Sequence, residues 1–105
     1  MRVEVVGVFN GDLEVAVNGV FGTDRGFRID PRGVSDSLRH VAYCLRRLLE
    51  GGKIKEGQRL HGVSSDVLPM GGLYPLPGEE VPGVRTITAL TEEGSVEVTE
   101  ETTYY

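Results

Sequence analysis

One segment in the middle of the sequence has a helical pattern, and it lies between two regions with the pattern of strands. Its apolar residues recur at steps of three and four, at Val34, Leu38, Val41, Ala42, Leu45, Leu48 and Leu49. This spacing predicts an amphipathic helix from about Val34 to Glu50. We expect Asp30-Pro31 or Ser35 to start the helix and Gly51-Gly52 to end it. Because a single amphipathic helix must cover another layer, the flanking segments are expected to form a sheet.

The sequence before the helix alternates with the period of two that strands show. The first strand runs from Arg2 to Phe9, and its phase slips beside Gly7, which indicates a β-bulge. Asn10-Gly11 predicts a hairpin turn, because a type I′ turn needs positive φ at both central residues. The return strand has Leu13, Val15 and Val17 on one face and Glu14, Ala16 and Asn18 on the other. A turn at residues 23–26 then leads to a short third strand that contains Phe27 and Ile29.

The sequence after the helix predicts further strands separated by a long loop. Residues 58–63 are a candidate short strand, and residues 84–90 form a strand that turns at 92–95 and returns through Tyr105. Residues 64–83 show neither the helical period nor the strand period, and they contain Pro69, Pro75, Pro77 and Pro82. We therefore expect a long Pro/Gly loop at about 64–83. The 105 residues make a single small α+β domain, with a mostly antiparallel sheet packed on one α-helix.

The order of hairpin, helix and further strands resembles the β-grasp topology. In that topology the strands make one sheet, and the helix covers one of its faces. The resemblance is one of element order alone. The Gly-Gly tail that ubiquitin-like carrier proteins use is not present, since the last two residues are Tyr104-Tyr105. It implies a fold and carries no function with it.

Composition excludes several classes of protein. Charged residues make up 26% of the chain and apolar residues 39%, which is typical of a folded domain rather than a disordered one. The single Cys44 excludes an intrachain disulfide. No run approaches the roughly 18 apolar residues of a membrane span, and the first residues lack the apolar run of a signal peptide. The sequence therefore favours a cytoplasmic protein.

Charge is divided unevenly along the chain. Residues 1–30 carry a net charge of −2, residues 31–61 carry +4 and residues 62–105 carry −7, which sum to −5. We expect the basic helix and the acidic C-terminal segment to attract each other, within one chain or between chains. We do not expect a nucleic-acid partner, because binding to a phosphate backbone favours a basic domain.

Three groups of residues are candidates for chemistry. The outer helix face carries Arg39, Tyr43, Arg46 and Arg47, whose guanidinium groups could hold a phosphate or carboxylate; the alternative is a solvated polar face. His40 and Cys44 are helical neighbours, but no third group is identified that would orient a reactive pair. Residues 61–66 contain His, Ser and Asp, yet triads are recognised by geometry and not by closeness in sequence. No spacing of metal ligands is recognised, and we expect no cofactor.

The predicted loop is rich in apolar residues, which a simple connector does not need. We assign Leu68, Met70, Leu73, Tyr74 and Leu76 as an interface, because exposed apolar segments commonly mark contact sites. The sequence favours a non-catalytic protein-binding or assembly module that self-associates or belongs to a larger complex. The alternative is a binder of a small anionic molecule that uses the helix arginines, with the loop as a lid. Residues 96–105 form either an edge strand guarded by charge or a strand that pairs with another chain.

Overall fold

The computed structural model describes the backbone of residues 3–9, 12–27, 34–72 and 74–105, and the side chains of residues 14–27, 36–72 and 74–105. The described elements are β1 (Val3–Phe9), β2 (Asp12–Val17), β3 (Val20–Thr23), α1 (Val34–Glu50), β4 (Gly62–Pro69), β5 (Val81–Thr91) and β6 (Gly94–Tyr104), with one 3-10 turn at Met70–Gly72. The strands form two antiparallel sheets, β1-β2-β3 and β4-β5-β6, and α1 packs on both. The α+β class and the element order are those predicted. The β-grasp resemblance implied one sheet, whereas the described strands make two.

The N-terminal sheet confirms the predicted bulge and corrects the position of the third strand. The register of β1 on β2 shifts between Val5 and Gly7. The third strand is β3 and not a strand through Phe27, because Asn18 and Gly19 adopt φ angles of 50° and 76° and close a hairpin between β2 and β3. Asn18-Gly19 repeats the Asn-Gly signal of residues 10–11. The turn predicted at residues 10–11, and Ile29 of the predicted third strand, lie outside the described residues.

The turn predicted at residues 23–26 is found at residues 24–27, because Thr23 is the last residue of β3. The N–H of Phe27 donates to the carbonyl of Asp24 over 3.0 Å, and Phe27 ends this turn rather than entering a strand. Its ring packs against the core that α1 covers. The proposed helix start at residues 30–31 and the side chain of Ser35 lie outside the described residues.

The helix is confirmed over Val34–Glu50, and its end has a capping pattern built on Gly52. The N–H of Gly52 donates to the carbonyl of Leu49, the N–H of Lys53 donates to that of Leu48, and Gly52 has a φ of 69°. This pair of bonds defines the Schellman motif, which needs a residue in the left-handed region. The predicted stripe is buried: Val41, Leu45 and Leu48 are inaccessible to solvent, and Leu38 is half-buried against them.

The core lies between α1 and the two sheets. Its buried members come from β2, β3, α1, the segment after α1, β4 and β5: Val15, Val17, Val20, Val41, Ala42, Cys44, Leu45, Leu48, Ile54, Leu60, Val63, Ile87 and Ala89. The approach of α1 to β3 is close at Gly22, where an added Cβ would lie 3.1 Å from both Leu45 Cδ2 and Val63 Cγ2. The absence of a side chain at Gly22 therefore lets the helix and β4 meet over β3.

The segment before β4 joins the two sheets. The N–H of Phe21 donates to the carbonyl of Gln58 over 3.0 Å, and the N–H of Leu60 donates to the carbonyl of Phe21 over 2.6 Å. Phe21 and Arg59 form an isolated parallel bridge. The candidate strand at residues 58–63 is thus a bridge at Arg59, and the continuous strand begins at Gly62.

The long loop predicted at 64–83 is much shorter in the structure. Residues 62–69 are β4, which pairs with β5 up to Pro69 opposite Gly83, so that the connector spans only residues 70–80. Two of the prolines, Pro69 and Pro82, lie within these strands, and neither occupies a position where the sheet needs a backbone N–H donor. The nitrogen of Pro69 points away from β5. The nitrogen of Pro82 points toward the side of β5 that lies beyond the end of β4.

The C-terminal hairpin agrees with the prediction and is longer than expected. β5 and β6 pair without a shift from Thr91 opposite Gly94 to Val81 opposite Tyr104, around a two-residue turn at Glu92-Glu93. In the strand order β4-β5-β6, β6 lies at the edge of the sheet. Its residues alternate between exposed and half-buried from Ser95 onward.

Candidate functional site

The inner face of the C-terminal sheet changes from apolar to polar along its strands. Cross-strand register gives the successive rows Val63–Ala89–Val96, Ser65–Ile87–Val98, Val67–Arg85–Glu100 and Pro69–Gly83–Thr102. The apolar members of the first two rows join the core under α1. The polar pair Arg85 and Glu100 lies beside the flank of the helix that carries Tyr43 and Arg47.

Glu100 is the centre of a polar cluster at this flank. The Tyr43 hydroxyl donates to Glu100 Oε1 over 2.5 Å, and Arg85 Nη1 donates to the same oxygen over 3.3 Å. Arg47 Nε lies 2.9 Å from Glu100 Oε2 as an ion pair, although its N–H is not aligned for a hydrogen bond. The Glu100 side chain is only 14% exposed. One predicted attraction between helix and C-terminal segment is therefore present, within the chain.

This cluster changes the acidity of Tyr43. The hydrogen bond to Glu100, and secondarily burial, raise the pKa of Tyr43 above its usual value, since ionisation would place a phenolate against a carboxylate. The Arg85 guanidinium also lies over the Tyr43 ring, 5.6 Å from its centroid. Tyr43 therefore acts as a neutral donor that fixes Glu100.

The four residues predicted for anion binding have different environments. Tyr43 and Arg47 are engaged with Glu100, while Arg47 also pairs with Glu50 at 3.0 Å. Arg39 is exposed and lies 3.9 Å from Asp36. Arg46 is half-buried. A shallow cavity of about 240 Å³ is lined by Asp36, Arg39, His40, Tyr43 and Arg85.

Sequence reasoning missed Arg85 and Glu100 as members of this site. Arg85 lies 35 residues after the end of the helix and Glu100 lies 50 residues after it. The signal that could have found them is the inner-face position of each on its strand, because a charge there requires a partner.

His40 contacts a residue that the sequence did not pair with it. His40 Nε2 lies 2.5 Å from Ser65 Oγ, and its ring meets Phe27 edge-on with centroids 4.7 Å apart. Burial, and then the charge of Arg85, lower the pKa of His40. Ser64 and Asp66, which alternate with Ser65 on β4, point to the opposite face of the sheet, so the grouping at residues 61–66 is not a triad.

Cys44 is inaccessible, and burial raises the pKa of its thiol to about 11. The thiol is therefore protonated at neutral pH and packs as part of the core rather than as a reactive pair with His40.

Exposed apolar side chains gather at the end of the C-terminal sheet far from the β5–β6 turn. We call the set of Leu68, Met70, Tyr74, Leu76 and Tyr105 the distal patch; these side chains are between 46% and 85% exposed. Four of them were predicted as interface residues, and the fifth predicted residue, Leu73, lies outside the described residues. The Tyr74 ring packs edge-on against Tyr104, 5.7 Å between centroids, which anchors the connector to β6.

A groove of about 670 Å³ lies at the opposite end, between residues 52–59 and the β5–β6 turn. Lys53 and Lys55 line one side, and Glu92 and Glu93 line the other. Nearby, the Arg59 guanidinium pairs with Glu14 and lies over the Phe21 ring. Opposite charges on the two walls give this groove no preference for a ligand of one sign.

Neither a metal site nor a membrane-spanning helix is found in the part of the chain that the structure describes. No described group of three or more His, Cys, Asp or Glu side chains is placed to hold a metal ion. No helix in the described ranges has the length and apolarity needed to cross a membrane.

Comparison with protein-family models, with curated proteins and with solved structures gave no match.

Proposed function

We propose that this chain is a non-catalytic protein-binding module that assembles through its distal patch. The observation that carries the proposal is the distribution of exposed apolar side chains. Of the six large ones that are strongly exposed among the described residues, five are in the distal patch, and only Leu90 lies at the other end of the sheet. Concentrated apolar surface marks interaction sites, whereas single exposed residues need no explanation.

The connector, which carries Met70, Tyr74 and Leu76 of the patch, makes contacts that favour binding. Tyr74 packs on Tyr104, and the N–H of Glu79 donates to the carbonyl of Leu76 over 2.9 Å to close a turn. Pro75 and Pro77 flank Leu76 and fix their own φ angles. An ordered surface loses less conformational entropy on association, so more of its contact energy appears as affinity.

The partner that we propose for the patch is a second copy of the chain. Tyr and Met, which the patch contains, are enriched in buried interfaces. Dimers with two-fold symmetry are the commonest homo-oligomers, and they use the same surface on both subunits. An apolar patch meets this requirement directly, because apolar surface is complementary to itself.

Sedimentation velocity over a range of protein concentrations tests the proposal. The native chain should exceed its monomer mass of 11.4 kDa as concentration rises, and the double variant Tyr74→Ser/Leu76→Ser should remain at that mass. Leu90→Ser is the matched control, because it removes an exposed leucine outside the patch and should associate like the native chain. A native chain that stays monomeric, or patch variants that associate normally, would refute assembly through this surface.

Shortening the connector gives a second test. Leu68 and Pro69 belong to β4, so the replaced segment should be restricted to residues 70–80. A short Gly-Ser turn there should leave the protein folded, because loop length changes closure entropy slowly. It should also abolish association. A shortened protein that fails to fold would show instead that the connector covers its own core.

The shallow cavity beside α1 favours a second candidate function, the binding of a small anionic molecule. Arg39 and Arg85 both line this cavity, and the described contact of Arg39 is a 3.9 Å pair with Asp36 that a ligand could replace. Thermal-shift measurements with phosphorylated compounds, compared between the native chain and Arg39→Gln, would separate this candidate from assembly through the patch.

A cytoplasmic location is part of the proposal, and it rests on the sequence pattern alone. The overall acidity, with an isoelectric point near 5.0, supports a protein partner rather than nucleic acid.

A further inference from the structure

The outer edge of β6 exposes a row of backbone groups. Among the described strands, β6 pairs with β5 alone. Thr91 and Gly94 flank a two-residue turn and form a hydrogen-bonded pair. From this pair onward, hydrogen-bonded and non-hydrogen-bonded pairs alternate along β5 and β6. The backbone N–H and C=O groups that point away from β5 therefore belong to Ser95, Glu97, Thr99, Glu101 and Thr103.

This edge lacks most of the features that prevent strand pairing. Proteins commonly protect an edge by making the strand short, or by placing charged side chains, Pro, a bulge or an inward-pointing charge on it. The charged side chains exposed at this edge are Glu97 and Glu101, which repel an acidic strand but not a basic one. β6 has 11 residues, a regular register and neither Pro nor Lys. Its inward-pointing charge, Glu100, is balanced by Arg47 and Arg85. The edge is thus able to accept another strand along most of its length.

The side chains at this edge select against a second copy of the chain. When two copies pair their β6 strands antiparallel and use all five outward-facing residues, Glu97 of each copy lies opposite Glu101 of the other. The pairing therefore contains two contacts between like charges. Like charges directly opposite each other are destabilising, and each chain also carries a net charge of −5. Since both glutamates are exposed, a positively charged strand can pair with them.

We propose that the β6 edge binds an extended basic segment of another protein by β-strand addition. Two Lys or Arg residues lie opposite Glu101 and Glu97, four positions apart in the added strand. Apolar residues lie opposite Val98 and Val96, which pack against the core at the inner face. The bound segment runs antiparallel to β6. From its N-terminus to its C-terminus, the order is one basic residue, two residues of any type, one apolar residue, one basic residue and one apolar residue. The proposal uses a surface other than the distal patch and does not depend on the proposed function.

Fluorescence anisotropy with a labelled peptide tests the proposal. The probe is acetyl-Thr-Lys-Ser-Thr-Val-Lys-Val-Thr-amide, and two control peptides carry Glu at both Lys positions or an N-methyl group on the central Thr. We expect the native chain to bind the probe and to bind either control more weakly, by up to about ten-fold for each hydrogen bond or charge pair that the control peptide loses. N-methylation leaves both charges in place and removes one backbone donor, so it separates strand addition from charge attraction alone.

Variants of the chain test the same contact from the other side. Thr99→Pro removes an outward N–H that β5 does not use, and it should abolish probe binding. Glu97→Gln/Glu101→Gln should weaken binding about two- to thirty-fold, from two exposed cross-strand charge pairs, and should reduce its salt dependence. Glu92→Gln/Glu93→Gln makes the same change of charge at the turn and should bind like the native chain, as should the distal-patch variant.

Each possible outcome either supports or overturns the proposal. It is overturned if the native chain does not bind the probe, or if the N-methylated peptide binds equally well. It is also overturned if the turn variant loses as much affinity as the edge variant, because the effect would then be general charge attraction. If Thr99→Pro unfolds the chain, the comparison between the probe and the N-methylated peptide still tests strand addition. A native dimer that Thr99→Pro dissociates would assign the edge to a second copy and also refute the proposal.

Discussion

Replacing Gly22 by Ala tests how α1 and β4 meet over β3. The new methyl would lie 3.1 Å from Leu45 Cδ2 and 3.1 Å from Val63 Cγ2, whereas ordinary carbon contacts lie at about 3.5–4.0 Å. Both neighbours are buried, so neither can swing into solvent. Overpacking of this kind costs about 1–3 kcal/mol. Part is offset by the reduced freedom of the unfolded chain, which favours Ala over Gly by about 0.4–1 kcal/mol. We expect a net loss of about 1–2 kcal/mol in the free energy of unfolding.

The double variant with Leu45→Ala makes the prediction specific. Leu45→Ala alone should lose about 2–5 kcal/mol, because it leaves a cavity in the core. In that background the methyl at position 22 meets space instead of Leu45 Cδ2, and only the contact with Val63 Cγ2 remains. Gly22→Ala should therefore cost less in the Leu45→Ala background than it does alone. The favourable coupling between the two changes is expected to be about 0.5–2 kcal/mol.

Urea unfolding of the native chain, both single variants and the double variant measures this coupling. Gly51→Ala is the control, because its Cβ would meet the Arg47 carbonyl at 3.3 Å and lies away from Leu45. Its effect should add to that of Leu45→Ala within about 0.5 kcal/mol. Additive effects for Gly22→Ala and Leu45→Ala would refute the close contact between β3 and α1 at Gly22.

Three further predictions concern titratable groups. Glu100→Gln should destabilise the fold and lower the pKa of Tyr43 in an absorbance titration, because the charged acceptor is lost, whereas Glu101→Gln on the opposite face should do neither; an unchanged tyrosine titration would contradict the Glu100 cluster. Burial raises the pKa of the Cys44 thiol from 9.0 to about 11, so its contribution to stability is present below pH 9 and is lost as pH rises toward 11. The stability difference between the native chain and Cys44→Ala should therefore shrink by about 1–3 kcal/mol between pH 8 and 11, and a constant difference would show an accessible thiol. The pKa of His40 is lowered from 6.5, so its contribution is present above pH 6.5 and is lost as pH falls through the folded value; His40→Gln should flatten urea-derived stability between pH 7 and 5, and an unchanged slope would exclude this origin.

The helix and the outer hairpins could be predicted because each rests on a local signal. The apolar stripe sets α1, Gly52 ends it, and the phase slip beside Gly7 marks the bulge in β1. The turn at Asn18-Gly19 was equally readable, since it repeats a signal recognised at residues 10–11. Overlooking it displaced the third strand to Phe27.

β4 could not be recognised from its own residues because its pairing partners supply the reason for its composition. Ser65 occupies an inward position where an apolar residue would be expected, and His40 of the helix satisfies its hydroxyl. The prolines at the end of the segment suggested a loop, yet they lie where the ladder needs no donor. Both facts depend on contacts between residues far apart in sequence.

The attraction that forms the polar cluster around Glu100 could be predicted from the sequence, but the identity of its central residue could not. Unequal charge along the chain indicated that the helix and the C-terminal segment attract each other. It could not identify Glu100 among the acidic residues of β6, because that choice depends on the register of β6 against β5.

The junction at Phe21 has a consequence for folding kinetics. Each sheet is a meander of neighbours in sequence, so each can form from short loop closures before the other exists. The hydrogen bonds from Phe21 to Gln58 and from Leu60 to Phe21 close only when the sheets dock, together with burial of the helix. We therefore expect docking of the two sheets to be the slow, long-range step of folding. The exchange rate of the Leu60 amide hydrogen would report the free energy needed to separate the two sheets. Amide hydrogens inside either sheet would exchange more slowly than that of Leu60 if each sheet persists after separation.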